Sequence, residues 1–236
     1  MIADTPVLSA QNLRKTYGST TALDGVSASI RAGESVAVMG ASGSGKTTLL
    51  HCLAGIILPD TGSVRLFGTA SDVPAEITSL DDAARSALRR TEFGFVFQQG
   101  LLIPELTAGE NVALALMLNG TPRQVAEQQA AAALAALGLG GMEGRRIGEL
   151  SGGQAQRVAI ARAQVNGARV LFADEPTGAL DSRTSADVMA LLLQSVAGTG
   201  RALVVVTHDP EVARWCSRVV TLADGQIVAD TAGVAR

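Results

Sequence analysis

The sequence predicts an α/β protein in which a parallel sheet carries helices on both faces. Three observations point there. Short apolar runs, "SVAVM" (35–39), "FGFVF" (93–97), "RVLFAD" (169–174) and "ALVVVT" (202–207), read as strands buried on both sides. The later runs alternate with stretches that carry helical signals, the pattern that produces parallel strands joined by crossover helices. A glycine-rich segment, "GASGSGKTT", separates the first run from the next helix. Of the 236 residues, 47% are hydrophobic, which supports a sizeable core.

Taken in order, "VLSAQNL" (7–13) alternates like a strand and "TALDGVSASI" (21–30) supplies a second, before the turn "RAGE" and the apolar run at 35–39. The chain thus opens β-rich. A helix is expected over Thr48–Ala54, then the turn "LPDTG" and a strand "SVRLFG" (63–68). Residues 79–90 predict a helix capped by Ser79, with Asp82 three places on. After "FGFVF" the chain turns almost wholly helical, from about 99 to 150. Within it Thr121, Pro122 and Gln124 give a capping hydroxyl, a first-turn proline and a returning amide for a helix that stops near Gly138. Strand and helix alternation resumes with 169–174, a helix over 184–197, the strand 202–207, a short helix near 210–216 and a hairpin at Asp224-Gly225.

Composition removes several classes of function. A net charge of -3 with both signs spread along the chain speaks against a nucleic-acid groove or a polybasic membrane anchor, so no nucleic-acid partner is expected. The longest apolar segments, "VALALML" (112–118) and "AAAALAAL" (130–137), are too short or too alanine-rich to span a bilayer. "MIADTPVLSA" carries an acid and a proline where a secretory signal carries basic residues and an apolar block, which predicts a cytosolic chain. Cys52 and Cys216 read as reduced, buried thiols, since two cysteines make neither a disulfide framework nor a metal pattern. The chain has 17 arginines but only two lysines, Lys15 and Lys46, which makes their locations informative.

Lys46 falls inside "GASGSGKT", a phosphate loop with a strand before it and a helix after it. Gly40, Ala41, Ser42, Gly43, Ser44 and Gly45 can turn their backbone N–H groups onto phosphate oxygens, backed by the helix N-terminus. Lys46 reaches the terminal phosphates, and the hydroxyls of Thr47 and Thr48 stand beside it, Thr47 being placed to hold Mg²⁺. "RVLFADEPTG" ends a buried strand on Asp174, a candidate for the metal, and the adjacent Glu175 is a candidate to polarise an attacking water. A pair of acids alone commonly caps a solvated edge; beside a phosphate loop the pair gains meaning. A second glycine pair, Ser151-Gly152-Gly153, offers a hydroxyl and open N–H groups at another helix start, again suited to an anion.

In order and spacing, the phosphate loop at 40–47, "LSGGQ" (150–154), "VLFADE" (170–175), "GALD" (178–181) and "TH" (207–208) resemble the nucleotide-binding subunit of ATP-binding-cassette (ABC) transporters. The resemblance covers essentially the whole chain. It implies one domain over residues 1–236, a phosphate-loop NTPase core with an antiparallel β subdomain near the N-terminus and a helical subdomain at about 99–165. It also implies a head-to-tail dimer of identical chains, in which ATP lies between the phosphate loop of one copy and Ser151, Gly152, Gly153 and Gln154 of the other. The second loop then needs no lysine, because Lys46 arrives from across the interface.

The same resemblance implies further roles, residue by residue. Tyr17 stacks on adenine. Gln98 ends the strand "FGFVF" and senses Mg²⁺ and water, with Gln99 as its neighbour in case the assignment slips by one. Asp181 contacts the partner copy. His208 contacts the γ-phosphate, and it follows an apolar strand at the sheet edge where ligands bind. Glu175 is the general base, with Thr47, Gln98 and Asp174 around Mg²⁺. The combination of "GFVFQQ", "LTAGENV", "LSGGQ-x-QRVAIARA" and "ADEPTGALD" looks most like ATPases of lipoprotein-release, macrolide-export and antimicrobial-peptide-resistance systems. Ala155 and "QVNGA" (164–168) depart from the usual pattern there. The expectation is an ATP-hydrolysing subunit at the cytoplasmic face of the cell membrane that powers a separately encoded integral membrane permease, for export or extraction of a substrate. The alternative is a non-transport member acting in DNA repair or translation; such members usually carry a long coiled coil or two cassettes, and this chain shows neither.

Overall fold

The computed structural model describes residues 6–68, 73–98 and 101–231. Four strands form an antiparallel sheet in the order β2-β1-β4-β5, where β1 is Pro6–Tyr17, β2 Thr20–Arg31, β4 Thr61–Leu66 and β5 Ala75–Glu76. Alternation along β1 buries Leu8 and Ala10, then breaks at a register shift. Asn12 adopts φ +49° there, and the added residue turns Leu13 inward instead of out.

The second sheet runs β10-β9-β3-β8-β7-β6. Its strands β3 (Ser35–Met39), β6 (Phe93–Phe97), β7 (Val170–Asp174), β8 (Ala202–Val206) and β9 (Arg218–Ala223) are parallel, and β10 (Gln226–Asp230) closes it as the predicted hairpin. Successive residues of the central strands face opposite layers. Val36, Val38, Val204 and Val206 pack with Leu49, Leu50 and Leu53 of helix α1 (Lys46–Leu53) and with the antiparallel sheet. Ala37, Leu203 and Val205 pack with Val188, Met189 and Leu192 of helix α6 (Ser182–Val196). A third apolar cluster lies among α3 (Ala108–Met117), α4 (Arg123–Ala136) and α5 (Gly152–Gln164), which make up the helical insertion. Buried Arg218 ties the two sheets together, donating to Ser29 O of β2 at 2.8 Å and to both carboxylate oxygens of Asp230 at 2.8 and 2.6 Å.

Two helix starts differ from expectation. Helix α2 (Asp82–Thr91) is capped by Asp81, whose carboxylate accepts the Ala84 N–H at 2.8 Å. Ser79 instead ends a single 3₁₀ turn and donates to Glu76 O, so its hydroxyl is already committed. Helix α4 begins with Pro122 as its cap and no side-chain cap bond, so Thr121 stands outside it. Helix α3 carries a full capping box, with Thr107 and Glu110 exchanging bonds. Gln99, and with it the first two residues of the expected helical insertion, lie outside the described residues.

Helix α5 lies hard against β6. A Cβ on Gly94 would stand 2.1 Å from Ala163 O and 2.6 Å from Leu171 Cδ2, and backbone cannot yield there. Gly94→Ala is expected to cost about 3 kcal/mol and to lower the melting temperature by roughly 6–12 °C, as read by thermal denaturation. Both thiols are buried, and burial pushes Cys52 up to about 11 and Cys216 up to about 12. Neither is expected to react with iodoacetamide at neutral pH until the protein is unfolded, a difference mass spectrometry resolves.

Candidate active site

The phosphate loop leaves β3 after Met39 and returns as α1 at Lys46. Its glycines are required by contact as well as by backbone. Gly45 has φ +102°, and a Cβ there would sit 2.2 Å from Ala22 O; at Gly40 it would sit 2.3 Å from Leu222 O. The end of β9 and the strand β2 thus brace the loop from outside. Lys46 is buried, and its Nζ donates to the carbonyls of Gly40 and Ala41 at 2.8 Å each. The buried Ser44 Oγ has no hydrogen-bond partner among the described residues, as expected of a group reserved for a ligand. The loop opens on a cleft of about 660 Å³ whose walls include Ser42, Gly43, Lys46, Thr47 and Thr48 on one side and Glu175 and His208 on the other.

Those last two come from neighbouring strands. Asp174 ends β7, and its Oδ2 accepts Thr47 Oγ1 at 3.2 Å. Burial pushes the Asp174 carboxyl above its usual range, opposed by that hydrogen bond and by the nearby His51. Burial also lowers His51 from its ordinary value, opposed by Asp174. Glu175 takes the left-handed conformation, φ +48°, which costs a non-glycine residue about 1–3 kcal/mol. Its N–H is held by Val206 O at 2.9 Å, and its Oε1 lies 2.7 Å from His208 Nδ1. Thr207 Oγ1 adds a longer bond of 3.4 Å to Glu175 Oε2. Strained backbone and two side-chain partners therefore fix this carboxylate at the cleft wall.

Gln98 follows β6 and shares a smaller adjoining cavity, about 320 Å³, with Thr47, Asp174 and Glu175. Gly178 of "GALD" lets it approach, since a Cβ there would meet Gln98 Nε2 at 2.9 Å. Thr47, Gln98 and Asp174 bring hydroxyl, amide and carboxylate oxygens to one place, the hard oxygen donors that suit Mg²⁺ and would leave positions for phosphate and water. Among the described residues no group of three or more His, Cys, Asp and Glu side chains forms a metal cluster, so a cation here would depend on such mixed donors.

The remaining predicted residues stand apart from these cavities. Ser151 caps α5, exchanging bonds with Gln154 at 2.9 and 3.3 Å, so the glycine pair does open a helix. Gly153 has a second, purely steric duty, because a Cβ on it would come within 2.4 Å of Thr184 Cγ2 on α6. Asp181 caps α6 and accepts from the Arg183 and Thr184 N–H groups. Tyr17 is 47% exposed at the end of β1, with Lys15 Nζ 5.6 Å from its ring centre and anchored by Asp60 at 2.8 Å. Ser151 to Gln154, Asp181 and Tyr17 do not line the cleft around Lys46.

Sequence reasoning missed three contributors. Ala22 braces Gly45 through a carbonyl, which leaves no mark in a side-chain pattern. Thr207 bonds to Glu175, and "TH" carried only half of its meaning. Gln156, buried on α5, donates to the carbonyl of Phe97 at the end of β6 and to that of Pro176 just beyond β7; the stretch "QRVAIARA" that carries it forms part of the resemblance without marking these bonds.

Comparison with known proteins agrees with this geometry. Residues 23–178 match the ABC transporter family. The pyoverdine export ATP-binding/permease protein of Pseudomonas fluorescens is 45% identical over 233 residues, 97% of this chain and 34% of the relative. The macrolide export ATP-binding/permease protein of Nitrosomonas europaea is 44% identical over 231 residues, 96% of this chain and 34% of the relative. This chain therefore spans about a third of the length of these curated relatives. Both are named as exporters, and neither name concerns DNA repair or translation. Among solved structures, a dimeric ATP-binding cassette in a post-hydrolysis state with ADP and Pi superposes with a TM-score of 0.84 at 38% identity, covering 94% of this chain and 97% of that one. The cbiO1 protein of Clostridium perfringens, part of the ABC transporter complex cbiONQ, gives 0.83 at 27% identity, covering 96% and 88%. Matched over most of its length in sequence and in fold, with its phosphate loop facing Glu175 and His208 across one cleft, this chain belongs to the ABC transporter family as an ATP-binding cassette.

Proposed function

We propose that this chain binds and hydrolyses ATP as a head-to-tail pair of identical copies and powers a membrane permease that exports a substrate or extracts it from the bilayer. The observation that carries the reading is the position of Glu175, fixed by His208 on the wall of the cleft that holds Lys46. Residues 1–236 act in it as one ABC ATPase domain. The loop N–H groups from Gly40 to Thr47 and the Lys46 ammonium bind the phosphates and stabilise the charge that develops on them. Glu175 takes the proton of the attacking water, and His208 holds the Glu175 carboxylate toward the γ-phosphate. Mg²⁺, held by Thr47 and Gln98 with Asp174 behind them, would neutralise phosphate charge. Tyr17 offers an exposed ring to adenine, while Ser151 to Gln154 and Asp181 serve the nucleotide and the surface of the other copy.

No helix among the described residues is long and apolar enough to cross a membrane. In this reading the permease supplies the crossing, and the cassette works on the cytoplasmic face beside it. Its binding surface lies near Gln98, next to the exposed Leu101. Affinity purification from gently solubilised membranes is expected to recover an integral membrane protein, and ATP turnover is expected to change when membranes are added. Recovery of no membrane protein, with turnover indifferent to membranes, would overturn the transport reading and leave the ATPase reading standing.

A further inference from the structure

Gln156 is the fifth residue of α5 and is only 4% exposed, yet it lines neither cleft. Its Nε2 donates to Phe97 O at 3.1 Å and to Pro176 O at 2.8 Å, which commits both amide hydrogens. Phe97 immediately precedes Gln98, and Pro176 immediately follows Glu175. Phe97 is the last residue of β6 and Pro176 lies two residues beyond the end of β7; the pairing of these adjacent parallel strands ends at Phe97 with Asp174. Beyond that rung the β6 and β7 chains run on with no ladder to hold them together. A buried backbone carbonyl needs a donor, and here one side chain serves both. The amide of Gln156 thus acts as an added rung, set just past the end of the ladder between the two catalytic segments.

The helix that carries it is itself wedged. Near its start, Gly153 lies against Thr184 of α6; near its end, Ala163 O lies against Gly94 of β6. Gln156 therefore projects from a rigid support, and any displacement of α5 must be felt at Phe97 O and Pro176 O. The N-terminus of the same helix presents Ser151. Resting on the hydrolysis reading above, we infer that Gln156 is a positioning residue: it holds Gln98 and Glu175 at a fixed separation and makes that separation depend on α5.

Gln156→Met keeps the bulk and removes both bonds. It is expected to lower kcat about 10- to 100-fold, the scale of a catalytic group misplaced by about 1 Å, while KM for ATP changes less than about threefold. Mixed dimers with one productive site locate the effect. One copy carries Ser151→Ala and supplies Lys46 and Glu175 to that site; the other carries Lys46→Ala and supplies Ser151. Adding Gln156→Met to the first copy should reproduce the loss of kcat, and adding it to the second should change it less than about threefold. Equal losses from both placements, or a loss confined to KM, would assign Gln156 to helix packing alone and overturn the inference. If Gln156→Met fails to fold, Gln156→Asn, one methylene too short to reach both carbonyls, must give the same dependence on placement. Unaltered protein without ATP turnover would refute the hydrolysis reading itself, whereas turnover that Gln156→Met leaves intact refutes only this inference.

Discussion

Glu175→Gln is expected to lower ATP turnover by about 10²- to 10⁴-fold, the range that a positioned general base contributes. The substitution preserves the length and shape of the side chain and leaves a carbonyl oxygen facing His208, where Glu175 Oε1 now lies 2.7 Å from Nδ1. Nucleotide binding should therefore change little, because the loop and Lys46 are untouched. Steady-state phosphate release together with equilibrium binding of ATP separates the two quantities. Loss of kcat at near-constant affinity identifies a group that acts in the transition state. Full turnover in Glu175→Gln would dismiss Glu175 as the base, and an affinity that falls in step with kcat would give it a binding role.

The second large effect is complementation between two dead proteins. Lys46→Ala and Ser151→Ala homodimers should each lose nearly all turnover. In a mixed dimer one composite site collects both defects and the other collects none. With random exchange half the dimers are mixed, and each keeps one site of two, so activity should recover to about a quarter of the unaltered level. A site built within one chain cannot behave this way, since no mixture restores Lys46 and Ser151 to the same subunit. Recovery thus reads the origin of Ser151 directly, by simple titration of one variant into the other. Its absence would place the functional site wholly within a copy.

Much of this architecture was legible because the strands are short, apolar and buried on both faces. The runs at 35–39 and 93–97 match β3 and β6 residue for residue. Helix starts were less legible, since hydroxyls have competing local partners. Ser79 spends its hydroxyl on Glu76 O, and Asp81, two residues on, takes the cap. In the site, Lys46, Thr47, Glu175 and His208 could be read from motif order, and the fold brings them to one cleft. The bond between Glu175 and His208 could not be read, because it depends on β7 and β8 being neighbours in the sheet. Gln156 was hidden more deeply: both of its partners are carbonyls, which every residue carries and no pattern marks.

The backbone of Glu175 sets stability against activity. At φ +48° the residue most at ease would be glycine, or asparagine, and either would relieve strain while removing the carboxylate. Selection for thermal robustness alone would consequently drift at this codon toward an inert protein that folds better. A library ranked only by expression or melting temperature would enrich such sequences without any warning in the readout. Retention of glutamate at this position therefore has to be selected through function, and its loss in a stabilised variant would record what the screen failed to measure.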